Sequence, residues 1–262
     1  MKTVIILVKF SLVALATLLL VLLTGGINQV PEKRDSKSVD CSIDTSYVKR
    51  MLLGMVNFDS DSNFVKVNPS FTNRSMYLEK NTYTAFIEMY KAAIADGVEL
   101  KIVSGARTFD YQKSIWERKW SRYSQEYSDS EIAVDILKFS AMPGTSRHHW
   151  GTDIDINNFN NDYFEQGRGL KEYRWLKENA IRFGFCQVYT NKEETKRTGY
   201  EMEKWHWSYL PVALNNTRLY AKLIGYNDLV GFKGCNVAPK LKVIELYVFG
   251  VAECDYEPTL LK

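Results

Sequence analysis

Ser146-Arg147-His148-His149-Trp150-Gly151-Thr152-Asp153-Ile154-Asp155, SRHHWGTDID, holds two of the three histidines in a chain of 262 residues. Pro143-Gly144-Thr145 breaks the backbone before it, and Gly151 breaks it again inside. From Asp153 to Asn157 apolar and polar residues alternate, which predicts a strand with Ile154 and Ile156 turned to a core and Asp153 and Asp155 sharing the opposite face. Two imidazoles thus stand one tight turn away from two carboxylates on one side of a strand. Taken alone, such a cluster reads either as polar surface or as part of a metal site.

The neighbouring segments set the fold class. Thr82–Asp96 places Phe86, Met89, Tyr90 and Ala93 at helical spacing and stops at Gly97. Residues 98–103, VELKIV, alternate like a strand and run into the turn residues Ser104-Gly105. Helical spacing returns over Asp110–Tyr123 and again over Tyr173–Phe183, where Gly184 ends it. Lys204–Tyr209, KWHWSY, alternates as a second candidate strand and carries the remaining histidine, His206. Helices interleaved with short, locally connected strands predict an α+β domain rather than a parallel doubly wound one.

His206 turns the cluster into a candidate metal centre. A catalytic zinc takes three protein ligands from His, Asp and Glu and leaves one position for water. Only His206 can complete such a set with His148 or His149 and a strand aspartate. Glu203 lies three residues before it, an acid placed to take a proton from water at the metal. No HExxH occurs, so the helix-borne zinc peptidase arrangement is excluded. Ser146 has no paired general base of its own, which argues against a serine nucleophile. Trp150, Trp205, Trp207 and Tyr209 read as core.

These segments resemble the zinc D-alanyl-D-alanine carboxypeptidases related to VanY. SRHHWGTDID is similar to their SxHxxGxxxD signature, Glu203-Lys204-Trp205-His206-Trp207 to their ExxHW signature, and Ser104–Gln112, SGARTFDYQ, to their SGxRxxxxQ element. All three stand in the family's order, and residues 161–185 and Arg197-Thr198-Gly199-Tyr200 also fit. The resemblance implies one Zn2+ held by His148, Asp155 and His206, with Glu203 as the catalytic base. It also implies Arg107 as the cation facing the developing oxyanion, and Ser146 and Gln112 as substrate-positioning groups. It implies a compact α+β fold in which a small antiparallel sheet carries the metal, shared in outline with the hedgehog signalling domain. His149 falls on a variable position, a neighbour of the metal set or a rim residue. Asp153 is a departure, because the family often has alanine there; it is expected to orient a histidine or face solvent rather than ligate.

The activity implied is hydrolysis of the terminal D-Ala-D-Ala bond of peptidoglycan stem peptides. An L,D-carboxypeptidase or endopeptidase with the same zinc site stays open, as does a non-catalytic zinc-stabilised cell-wall-binding module. Glu203 and Arg107 together argue against the last, which needs neither.

Composition bounds the remainder. With 45% hydrophobic and 25% charged residues the chain is globular, and a net charge of +3 without a run of Lys or Arg argues against nucleic acid as a partner. Residues 1–26 have export-signal architecture: a basic start, an apolar run from Phe10 to Leu23 and small residues after it. Counted from Val4, the run approaches the ~20 residues of a membrane span, so cleaved signal and retained anchor both stand. Residues 27–42 read as a tether, and 43–262 as a single metallopeptidase domain with a C-terminal extension, expected to be monomeric. The expected location is the periplasm or cell envelope. An exported chain can form disulfides. Among Cys41, Cys186, Cys235 and Cys254 the favoured pair is Cys235–Cys254, which brackets one C-terminal unit. From about Ala213 a helix through Ile224 and the apolar stretch VIELYVFGVAE are expected to pack on the domain.

Overall fold

In the computed structural model the structure describes residues 44–256. The segments read as signal or anchor and as tether lie outside the described residues. In chain order the main elements are helix α1 (Thr45–Leu52), strands β1 (Phe64–Lys66) and β2 (Tyr77–Glu79), and helix α2 (Lys80–Ala95). There follow β3 (Ile102–Ser104), α3 (Phe109–Trp120), α4 (Asp129–Ile136), β4 (Asp153–Ile156) and α5 (Gly167–Asn179). The last are β5 (Phe185–Cys186), the short α6 (Lys192–Thr195), β6 (His206–Tyr209) and α7 (Leu210–Leu223). The class is α+β, as expected.

Two antiparallel sheets form, a β1–β2 pair and a four-stranded sheet in the order β3-β4-β6-β5. The predicted strands over 153–157 and 204–209 are its two central members. Their register pairs Asp153 with Ser208, Ile154 with Trp207, and Asp155 with His206. Side chains alternate across a pleated strand, so Ile154, Ile156, Trp207 and Tyr209 fall on one face and pack with Phe86, Met89 and Ala93 of α2 and Leu176 of α5. Asp153, Asp155, His206 and Ser208 fall on the other. That face is fully buried too, so neither aspartate of β4 reaches solvent.

The strand expected over 98–103 contracts to Ile102–Ser104. Beyond it the pairing with β4 passes to a side chain: Lys101 N–H donates to Asn157 Oδ1 (2.6 Å), and Asn157 N–H to Lys101 C=O (2.8 Å). The helix of α3 begins one residue before its predicted start, capped by the Thr108 hydroxyl, which accepts from Tyr111 N–H. A second core gathers Trp116 of α3, Ile132 and Ile136 of α4, Trp150 and Tyr220 of α7. Val237, Val243, Ile244 and Val248 of the C-terminal segment join it, which gives that segment the packing role expected of it.

The favoured cysteine pair is corrected. Cys186 of β5 is bonded to Cys254, and Cys235 has no disulfide partner among the described residues. The backbone explains the choice: Ala252 N–H donates to Val188 C=O (2.9 Å), laying the chain end beside the strand that carries Cys186.

Candidate active site

Three pieces of chain meet to form the site. His148 sits in a single 3-10 turn, Arg147–Trp150, which Gly151 closes in the left-handed region at φ 69°. Asp155 and His206 come from directly opposed positions of β4 and β6. The loop between β3 and α3 supplies Gly105 and Arg107, and is tied to the turn by Arg107 N–H donating to His148 C=O (3.0 Å).

His148 Nε2 lies 3.4 Å from Asp155 Oδ2, and His206 Nδ1 lies 3.1 Å from Asp155 Oδ1. Ligand atoms of all three residues fall within 4.8 Å of one another. Atoms bound at ~2.0–2.1 Å around a tetrahedral centre stand about 3.3 Å apart, so the set fits a zinc-sized cation with one position left open. The outward ring nitrogens are committed elsewhere. His148 Nδ1 pairs with Gly105 C=O (2.9 Å), and His206 Nε2 with Asp153 Oδ1 (2.9 Å).

Glu203, just before β6, places Oε2 3.6 Å from His206 Nδ1. Burial pushes its carboxyl up to about 7, with His206 opposing and Asp155 adding to the rise. Burial alone would also raise Asp155, but His148, His206 and Arg107 outweigh it and hold that carboxylate well below the usual range. Burial lowers His148, with Arg107 reinforcing the effect. In His206 burial is overcome by Asp153 and Asp155, which raise it to about 9.

These groups line a cleft of about 970 Å3. Ser146 lines it as well, beside His148. Arg107 reaches in with Nη2 on Asp155 Oδ2 (2.8 Å) and is braced by Ser104 Oγ (3.0 Å) and Gln112 Oε1 (3.2 Å). Gln112 departs from its expected role. It is wholly buried, stands off the cleft, and uses its amide on Ala141 C=O (2.8 Å) and its carbonyl on Arg107. It therefore holds Arg107 rather than touching substrate. His149 is also buried behind the site. Its Nδ1–H donates to Arg107 C=O (2.7 Å) and Nε2 accepts from Gly144 N–H (3.0 Å), and burial holds it down at about 4.

Several groups escaped the sequence reading. The Tyr189 ring packs against His206 at a 38° tilt, with centroids 4.5 Å apart. Tyr200 lines the cleft with a buried phenol oxygen that has no hydrogen-bond partner among the described residues; the nearby Thr145 hydroxyl donates instead to Met142 C=O. Lys119, from the last turn of α3, brings its ammonium to the cleft wall on Ser140 Oγ (2.5 Å). Tyr200 alone had left a signal, since its segment fits the motif pattern.

Residues 75–212, more than half of the chain, match the model of VanY, D-alanyl-D-alanine carboxypeptidase. The chain belongs to the VanY family. A D-alanyl-D-alanine carboxypeptidase of Enterococcus faecalis is 35% identical over 126 residues, covering 48% of this chain and 45% of that one. The chain spans about half the length of the curated relatives it matches. Among solved structures, a mutant of the vancomycin resistance D,D-pentapeptidase VanY with Zn(II) is 28% identical with a TM-score of 0.47, covering 63% of this chain and 88% of that one. VanYB in complex with D-alanine-D-alanine is likewise 28% identical, with a TM-score of 0.48 over 64% of this chain and 87% of that one. The described part of this VanY-family chain contains both β4 and β6, so the matched region holds the whole ligand cluster.

Proposed function

We propose that this VanY-family chain is a zinc-dependent carboxypeptidase that hydrolyses the terminal D-Ala-D-Ala bond of peptidoglycan stem peptides. One observation carries the reading: a His-Asp-His set of metal-sized dimensions lies beside a buried glutamate held near neutrality, at the wall of an open cleft. His148 Nε2, Asp155 and His206 Nδ1 would hold zinc, which supplies Lewis acidity at neutral pH. Glu203 accepts a proton from the attacking water and delivers one to the leaving amine, a task suited to a group whose pKa lies near the working pH. Arg107 meets the negative charge that grows on the scissile carbonyl oxygen. Tyr200 offers an unpaired phenol to the substrate, and Ser146 a hydroxyl. Lys119, Arg74 and Arg118 add positive charge along the cleft, which suits a peptide ending in a carboxylate.

The Cys186–Cys254 disulfide, together with the export-signal architecture of residues 1–26, supports a site of action outside the cytoplasm, in the cell envelope. Retention at the membrane would rest on that N-terminal segment, since no described helix is long and apolar enough to cross a membrane. Every site residue comes from one chain, so the reading requires only a monomer.

The test is to incubate the zinc-loaded full chain with pentapeptide and tetrapeptide muropeptides and weigh the products. Loss of one alanine from the pentapeptide is expected. Cleavage of the tetrapeptide alone would transfer the chain to the L,D class, and cleavage of neither would sink the carboxypeptidase reading.

A further inference from the structure

Behind the metal set lies a buried charged network that the proposed reaction does not use. Asp153 is two residues before Asp155 on the same face of β4, and it is wholly inaccessible to solvent. Its Oδ1 contacts His206 Nε2 (2.9 Å) and accepts from Arg147 Nε (3.2 Å), and its Oδ2 accepts from the Thr152 hydroxyl (2.6 Å). Arg147 is itself buried. It donates to Ser208 Oγ (2.8 Å), opposite Asp153 on β6, and to Thr217 Oγ1 (3.1 Å) on α7, with its guanidinium 4.8 Å from the Trp150 ring centroid.

We propose that Asp153, fixed by Arg147, is the positioning residue that presents Nδ1 of His206 to the metal. The inference rests on the zinc reading above and adds a role for a residue that reading leaves idle. A neutral imidazole has one N–H and one lone pair, and the nitrogen that ligates must be the one with the lone pair. An ionised carboxylate can only accept hydrogen bonds, so Asp153 places the proton on Nε2 and leaves Nδ1 free, facing Asp155. Asp153 lies at the far nitrogen of the ring, which removes it from the ligand set. His148 is oriented by a backbone carbonyl alone, whereas His206 has a charged acceptor, the stronger of the two kinds of bond. Arg147 compensates the carboxylate's buried charge. Without it, Asp153 would stand ionised in the interior with only hydroxyl and imidazole partners.

Because the chain holds only three histidines, the ring protons can be assigned directly. In the zinc-loaded full chain labelled with 15N at histidine, long-range 15N–1H correlation should show two rings protonated at Nδ1, those of His148 and His149. The third, His206, should be protonated at Nε2 with Nδ1 at a metal-bound shift. In parallel, Asp153→Asn should weaken zinc binding by about 10–100-fold in chelator competition, while the far-UV circular dichroism of the metal-free chain stays unchanged. A proton on Nδ1 of His206, or an Asn variant that binds zinc as tightly as the parent, would overturn the proposal. Should the variant fail to fold, the tautomer in the parent chain decides the matter. A parent chain that binds no zinc would instead defeat the metal reading itself, a distinct result.

Discussion

Glu203 and His149 are both buried titratable groups in the same neighbourhood, and burial acts on them in opposite ways. A carboxyl deprived of water holds its proton, so Glu203 rises to about 7; an imidazole deprived of water loses its proton, so His149 falls to about 4. Glu203 works as a base only when ionised, so kcat/KM should fall as pH drops through about 7, or through a lower value once the cation favours the carboxylate. Glu203→Gln should keep its zinc, measured by metal analysis, and lose hydrolysis by about 10²–10⁴-fold. Loss of zinc with activity would make Glu203 a ligand. For His149 the consequence is stability. The unfolded chain takes up a proton near 6.5 and the folded chain only near 4, so this contribution is whole above 6.5 and is lost as pH falls towards 4. It amounts to ~3 kcal/mol. The difference in urea stability between the parent and His149→Gln should shrink over that interval, and a difference independent of pH would refute the assignment. His148, Asp155, Glu203 and His206 were legible in sequence because two short motifs fix their local spacing. The destinations of Gln112, Lys119 and Arg147 were not, since each depends on what a distant segment places opposite it: Ala141, Ser140, and Ser208 with Thr217.

At the scale of elements, the site depends on register more than on strand length. β4 and β6 have four residues each, yet their pairing puts Asp155 against His206, and a one-residue slip would carry the carboxylates to the Ile154 face. Their alternation made both strands readable, as helical spacing did for α2, α3 and the later half of α5. The three-residue strands β1 and β2 left too short a pattern to read, and α4 announces itself only through the Ser128–Glu131 capping box. Gly151 joins the histidine turn to β4 and so sets that register. It takes φ 69°, and a Cβ there would stand 2.7 Å from Glu79 N, the same amide that donates to Gly151 C=O. Gly151→Ala should therefore cost ~1–2 kcal/mol for the left-handed backbone alone, and more for the clash with a backbone atom that cannot swing away. Denaturant unfolding should show a lowered midpoint, and zinc affinity should fall with it. An unchanged midpoint would mean that the turn relaxes freely and does not hold the register.

For the whole molecule, the C-terminal segment packs into the second core, and its last described residues lie beside β5. The link runs from Cys254 to Cys186, and from Ala252 to Val188, one residue before the tyrosine that packs against His206. Sequence spacing favoured Cys235 as the partner of Cys254 because the two are near in the chain. The fold chose the distant cysteine because the last described residues run beside β5. A crosslink across a separation of 68 residues removes loop entropy from the unfolded chain, ~4 kcal/mol as an upper bound. The folded domain should therefore lose up to roughly 8–16 °C of Tm in Cys254→Ser, at about 2–4 °C per kcal/mol for a domain of this size. Hydrolysis and zinc content at 25 °C should change little, because neither cysteine touches the ligand set. Thermal unfolding of the parent with and without a thiol reductant should reproduce the same shift, and Cys235→Ser should leave Tm in place. A loss of stability in the Cys235 variant equal to that of the Cys254 variant would instead restore the pairing that sequence spacing favoured.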